Sequence, residues 1–309
     1  GNPYLIDLDL LIEEGLLTVD EVANRDWCWS SDRVDFGRLY NNKLAVLRLA
    51  YARFQGGEAF DAFLAEQEAW LPDFALFMAL KGENNSAAWY TWEDGLKFRK
   101  AEALDAARAR LANEIRFYCF VQYTFFKQWT ALLTYAHSKG IEIIGDVPIY
   151  VPYDSVEVWC EPGLFQLDKE LTPTAVAGCP PDAFSEDGQL WGNPLYNWTK
   201  MKKQNFAWWV RRMAAAGKLY DVIRLDHFRG FEAYWSVPYS ATTAKSGKWI
   251  KGPDMDFVNA LKTQLPTVRF IAEDLGTLTQ EVLDLRDNSG YPGMKVLGFA
   301  FDGCKENEY

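Results

Sequence analysis

The sequence predicts an α/β fold organised round a parallel sheet, and three observations carry that expectation. Helical patterns alternate with short apolar, β-branched runs through the second half of the chain. Parallel strands joined by crossover helices leave that alternation in a sequence. The runs end in carboxylates: "IEIIGD" in Asp146, "DVIRLD" in Asp226, and "VRFIAED" in Glu273 and Asp274. Finally, no G-x-G-x-x-G or phosphate-binding loop occurs, so a nucleotide fingerprint is missing. Carboxylates at strand ends suit the mouth of a (β/α) barrel, whose site is built from its βα loops. A doubly wound open sheet also places its site at strand ends, so these observations leave both architectures open.

Each element follows from local pattern. The opening "GNPYLIDLDLLIEEGLL" is a Gly-Asn-Pro turn leading into a helix. Residues 41–71 alternate helical stretches with a break at Gly56 and Gly57, and residues 74–100 read as Trp-rich helix and loop. From 101 to 139, Ile115, Tyr118, Val121, Phe125, Trp129, Leu132, Leu133 and Ala136 recur every three or four residues, the period of one buried helical face. Gly140 supplies a C-terminal stop. Residues 10–110 thus form a helical layer. Beyond it come the strand "IEIIGD", the helix "FAWWVRRMAAAGK", the strand "DVIRLD", the helix "DFVNALKTQL" and the strand "VRFIAED". A helix around 281–287 then precedes a fourth apolar run, "MKVLGFAF", expected as a strand. Between the first two strands, residues 147–200 hold seven prolines and little periodicity. A stretch that long in a packed domain is more often functional than slack.

Composition narrows the class of function. The chain of 309 residues is 49% hydrophobic, so it is globular. Its net charge of −11 argues against a nucleic-acid partner, which needs a basic footprint, and against an anionic membrane surface. A neutral substrate meets no such objection. Five cysteines without a C-x-x-C, and only two histidines, His137 and His227, speak against a disulfide framework and a zinc centre. No metal and no organic cofactor is expected. No signal peptide or long apolar span is evident, and the expected location is cytoplasmic. Thirteen Trp, fifteen Tyr and twenty Phe exceed what a core of this size requires. Either the core is generously aromatic, or some rings stack on a ligand such as a sugar.

The candidate chemistry rests on Asp226 and Glu273, which end different strands. Two carboxyl groups facing one cleft do not ionise together easily, which separates a nucleophile from an acid. Arg224 stands two residues before Asp226 and so on the same strand face, where a guanidinium keeps an aspartate charged and oriented. The plainer alternative is a structural ion pair. Asp146 could equally be a turn or cap residue, His227 a satisfied core histidine, and Trp191 in "WGNP" a loop anchor or a sugar platform.

Together, "GNPYLIDLDLL", "GDVPIYVPYDSVEVW", "PGLFQLDKELTPTAVAGCPPDAFSEDGQLWGNPLYNW", "VIRLDHFRGFEAYWSVP" and "FIAEDLG" resemble the 4-α-glucanotransferases (amylomaltases or disproportionating enzymes) of glycoside hydrolase family 77. The likeness spans almost the whole chain, and the short interval from Asp226 to Glu273 is similar to the compact bacterial and plastid type. The resemblance implies a (β/α)8 barrel of the α-amylase type. Residues 1–20 and 113–309 would be barrel segments, 21–112 a mainly helical insertion, and 147–200 a long loop over the cleft. It implies a retaining transfer of α-1,4-glucan segments between maltooligosaccharides, with Asp226 as nucleophile and Glu273 as acid/base. Tyr4, Asp146, Trp191, Arg224 and His227 match substrate-binding positions. The stretch 180–188, with Asp182 and Phe184, matches a loop arched over the cleft. Excluding water there favours a sugar hydroxyl as acceptor. The oligomeric state stays open.

One departure accompanies the likeness. The family's third carboxylate lies in a Thr-His-Asp-Asn context, and no such tetrapeptide occurs in these 309 residues. The strand expected before "GNPYLID" is also missing. The expectation is therefore an incomplete barrel, an internal portion of a protein of roughly 500 residues (the size the family implies, since a barrel with missing staves leaves sheet edges unpaired). Taken alone, the 309-residue chain is expected to lack normal activity. The competing readings are an α-amylase-type hydrolase on the same barrel, a glucan-binding fragment without chemistry and, weakest, a nucleotide-dependent α/β enzyme.

Overall fold

The computed structural model describes residues 1–27, 32–182, 185–276 and 278–301. The chain divides into two compact units, Gly1–Tyr135 and Ala136–Tyr309.

The first unit is helical, and its earliest starts are capped as the sequence dictates. Asn2 accepts from the Tyr4 N–H across the 3-10 turn Pro3–Leu5. Asp7 caps α1 (Leu8–Glu13), and Thr18 with Glu21 forms a capping box on α2 (Val19–Ala23). Asp35 caps α3 (Phe36–Arg53), which buries Val46, Leu47 and Ala50. Past Gly56 and Gly57, both at positive φ, come α4 (Glu58–Glu66), α5 (Leu71–Glu83), α6 (Asp94–Lys97) and α7 (Ala101–Arg110). Helix α8 (Ala112–Ser138) follows Leu111, which breaks the expected continuous helix in two.

Burial of α8 differs from a single stripe. Phe117, Cys119, Phe120, Val121, Gln122, Thr124 and Phe125 are all buried, whereas Leu132 of the predicted face is 51% exposed. A helix covered most of the way round behaves as a core helix there, and the one-face period loses its meaning. Tyr51, Phe54 and Phe60 pack against its Phe120 and Tyr123, with ring centroids 4.7 to 5.9 Å apart.

The second unit is mixed α/β. After the turn at Gly140 (φ +71°) its elements run β1 (Ile144–Val147), α9 (Val156–Cys160), β2 (Ala175–Cys179), β3 (Gln189–Pro194), α10 (Trp198–Lys203), α11 (Ala207–Ala216), β4 (Val222–Leu225), β5 (Ala233–Pro238), β6 (Lys248–Lys251), α12 (Asp254–Gln264), β7 (Arg269–Ala272) and α13 (Gln280–Ser289). A parallel sheet has the order β1-β4-β7, and an antiparallel sheet the order β3-β2-β5-β6. The region 147–200, read as a loop, thus contains two paired strands. Their Gly and Pro content hid them. Pro194 is tolerated because β3 is an edge strand.

The parallel sheet alternates strictly. Gly145, Val147, Ile223, Leu225, Phe270 and Ala272 are buried, while Asp146, Arg224 and Ile271 on the other face stay partly exposed. Behind it, Trp209, Phe231 and Phe257 form an aromatic core in which the Phe231 and Phe257 rings stack at 4.3 Å. Much of the aromatic excess is therefore core.

The fourth apolar run corrects an expectation. "MKVLGFAF" forms no strand among the described residues; Leu297–Phe301 is a 3-10 helix. The Ala272 N–H reaches the Pro292 carbonyl at 2.9 Å, before the run starts. The Met294 N–H then turns to the Asp274 carboxylate instead of a β7 carbonyl. A side-chain acceptor has displaced the ladder, and β-propensity yields to it.

Candidate active site

The parallel register builds the site. Asp146, Arg224 and Ile271 stand level across β1, β4 and β7, as do Val147, Leu225 and Ala272. The ladder runs one step further. The Asp226 N–H donates to the Val147 carbonyl at 3.1 Å, and the Glu273 N–H to the Leu225 carbonyl at 3.0 Å. Asp226 and Glu273 are thus the first residues past β4 and β7. They stand on neighbouring strands whose backbones lie about 4.8 Å apart. The two-residue period puts Arg224 on the same face as Asp226, and the register adds Asp146.

Arg224 ties that face together. Its Nη1 donates to Asp146 Oδ1 at 2.5 Å and to Asp226 Oδ1 at 3.0 Å, and its Nε donates to Met294 Sδ at 3.0 Å. Partial burial opposes its charge, but the two carboxylates outweigh that and raise its pKa. One guanidinium thereby fixes two strand-end aspartates.

Glu273 is held differently. Its Oε2 accepts from the His227 N–H at 2.8 Å, and its Oε1 from the Leu275 N–H at 2.9 Å. The first bond requires an unusual backbone. His227 sits in the left-handed region at φ 50°, rare for a non-glycine residue. The Phe228 N–H donation to the Glu273 carbonyl at 3.1 Å reinforces that turn. Two independent bonds to one residue hold a conformation that costs about 1 kcal/mol or more by itself.

The His227 ring is half-buried. Burial and the nearby Arg229 guanidinium push its pKa down to about 4, so it is neutral at pH 7. Trp191, on β3, meets it edge to face at 4.9 Å and lies 6.1 Å from Tyr150. Gly230 is required beside it, because a Cβ there would fall 3.1 Å from the imidazole and 2.6 Å from Ile149. His137 is elsewhere. It bonds Asp221, just before β4, at 2.8 Å and so belongs to the opposite end of the sheet.

Asp146, Trp191, Arg224, Asp226, His227 and Glu273 are therefore brought together. Asp182 is exposed, and its side chain serves its own turn. It accepts from the Ser185 N–H at 2.7 Å, while its N–H donates to the Ser185 carbonyl at 3.0 Å. Phe184 lies outside the described residues. Tyr4 belongs to the first unit, on the turn Pro3–Leu5.

Sequence reasoning missed Met294 and the role of Asp274. Met294 lies 70 residues from Arg224 inside a run read as a strand, so no local signal marked it. Asp274 was visible as a second strand-end acid, and its purpose was not. Among the described residues, no cluster of three His, Cys, Asp or Glu could hold a metal, and no helix is long and apolar enough to cross a membrane.

Comparison with known proteins agrees with the motifs. A family model described as 4-alpha-glucanotransferase matches residues 1–309. A 4-alpha-glucanotransferase of Clostridium butyricum is 48% identical over all of this chain and 64% of its own length. One from Thermus thermophilus is 46% identical over all of this chain and 62% of its own length. The solved amylomaltase of Streptococcus agalactiae, in complex with acarbose, superposes with a TM-score of 0.95 at 41% identity, covering this whole chain and 63% of that one. The chain thus spans a little under two thirds of these relatives. With every quoted motif inside the matched span, the chain belongs to the 4-alpha-glucanotransferase family, glycoside hydrolase family 77.

Proposed function

We propose that this chain carries the nucleophile and the acid/base of a 4-α-glucanotransferase acting on α-1,4-glucans by retaining double displacement. The observation that supports this most is the level placement of Asp226 and Glu273 on adjacent parallel strands. Strands about 4.8 Å apart suit the carboxyl separation of roughly 5–5.5 Å that retaining glycosidases use. In the first step Asp226 attacks the anomeric carbon, the bond to the leaving 4-oxygen breaks, and Glu273 gives that oxygen a proton. In the second, Glu273 takes the proton of an incoming sugar 4-hydroxyl, which displaces Asp226 and restores the original configuration. Arg224 occupies Oδ1 of Asp226, so attack falls to Oδ2. Glu273 accepts one backbone N–H on each oxygen and keeps a further site on each for the proton it transfers.

Around this pair, Asp146, Trp191 and His227 would line the donor sugar. The neutral imidazole and the indole edge suit an uncharged, polyhydroxylated ligand. We infer a (β/α)8 barrel in which β1, β4 and β7 are consecutive staves. Their spatial order follows the chain order without reversal, and their polar face is open where a barrel lumen would lie. Residues 1–20 and 113–309 would then be barrel and 21–112 the helical insertion. Because no Thr-His-Asp-Asn occurs in the 309 residues, the chain alone would lack the third carboxylate and normal turnover.

The test is single-turnover labelling with 5-fluoro-α-glucosyl fluoride. This reagent brings its own good leaving group and so needs no acid. Mass spectrometry should place one 5-fluoroglucosyl group on Asp226 when residues 1–309 replace the matching stretch of the Clostridium butyricum relative, and none in the Asp226→Asn form of that chimera. Absence of label on Asp226 in the unmodified chimera would sink the assignment.

A further inference from the structure

We propose that Met294 is a positioning residue for Arg224, and through Arg224 for Asp226, and that the buried Asp274, paired with Arg286, seats it. Its functional half rests on the reading of Asp226 as nucleophile; its geometric half does not.

Arg224 delivers both carboxylate bonds through one nitrogen, Nη1. A planar guanidinium anchored at a single nitrogen can swivel about that point. The Nε–H bond to Met294 Sδ at 3.0 Å supplies a second anchor, and two anchors on different nitrogens fix the plane. A thioether is a weak, uncharged acceptor. It orients the guanidinium without competing with Asp226 for its charge, as a third carboxylate would.

Met294 is held as firmly as it holds. Its N–H donates to Asp274 Oδ1 at 2.7 Å, and Asp274 Oδ2 accepts from Arg286 Nη1 at 2.8 Å. The Asp274 side chain is only 5% exposed. A buried carboxylate with both oxygens occupied does not shift readily. Just before Met294, a Cβ on Gly293 would stand 2.4 Å from Asp274 Oδ2, so only glycine lets the carboxylate in. Pro292 is pinned to β7 through the Ala272 N–H. Asp274 directly follows Glu273, so one strand end bears the acid and also seats the residue that orients the nucleophile's partner.

The experiment uses the same chimera, labelled with methyl-13C methionine. Residues 1–309 contribute Met78, Met201, Met213, Met255 and Met294, and Met294→Leu assigns the last. Arg224→Lys removes the Nε donor and should move the Met294 methyl resonance while leaving the other four in place. For function, Met294→Leu preserves bulk but removes the acceptor, and should slow fluorosugar labelling of Asp226 about tenfold. Met294→Gln offers an amide oxygen to Nε and should recover most of that rate. A purely packing role predicts the opposite order, with Leu near the unmodified rate and Gln slow. An unmoved methyl resonance, or that reversed order, overturns the proposal. If the unmodified chimera takes no label at all, the nucleophile reading fails, and the resonance still decides whether Met294 positions Arg224.

Discussion

At His227 one residue does two jobs, and they pull in different directions. Its backbone must be left-handed to aim an N–H at Glu273, while its ring is driven into a half-buried place against Trp191. Burial and Arg229 lower its pKa from 6.5 to about 4. The unfolded chain therefore takes up a proton before the folded one does. Stability is unaffected above pH 6.5 and falls as the pH drops from there toward 4, by up to about 3 kcal/mol from this group. Urea unfolding at pH 7 and pH 4.5 should show a smaller pH-dependent loss in His227→Gln than in the unmodified protein. Equal losses would mean the ring protonates freely in the folded state. The sequence had marked the His227 position through its neighbours in R-x-D-H-F-R-G. It could not tell a core histidine from one in the site, because a ring's surroundings come from residues far along the chain.

At the scale of elements, the site depends on a sheet that was partly hidden. The strands of the parallel sheet were legible as apolar runs ending in acids. Strands β2 and β3 were not, since "AVAGC" and "QLWGNP" carry glycines and a proline that normally signal loops. Gly178 explains one of those glycines. A Cβ there would meet the Gln189 carbonyl oxygen at 2.3 Å, beside the register shift between Val176 and Gly178. Gly178→Ala should cost about 1–3 kcal/mol by forcing β3 away from β2. Since β3 carries Trp191, the same variant should also alter tryptophan fluorescence. A variant with an unchanged urea midpoint would mean the strands part without penalty. "MKVLGFAF" is the converse case, with strand propensity but no ladder, because the carboxylate of Asp274 takes the N–H a strand would have paired.

At the scale of the molecule, reacting groups and whole enzyme separate. On the proposed reading, the nucleophile and acid lie in these 309 residues, whereas no Thr-His-Asp-Asn occurs in them. Substituting residues 1–309 for the matching stretch of the Clostridium butyricum relative, 48% identical to them, should yield an enzyme that turns maltotriose into glucose and a ladder of longer oligomers. Asp226→Asn in that chimera should lower the rate by at least about a thousandfold. The 309 residues alone should give no ladder; a normal one would show that the third carboxylate is dispensable. Steady gain of reducing ends from the chimera would instead favour hydrolysis. By itself the sequence determined the helical pattern of residues 10–110, the strand-end acids and the family, because these rest on local periodicity and on motifs contiguous in the chain. Only the tertiary structure decided that Asp226 and Glu273 stand level, that Arg224 reaches Met294 and that rings such as Trp209, Phe231 and Phe257 are core. Register and burial are relations between distant segments, and no local pattern encodes them.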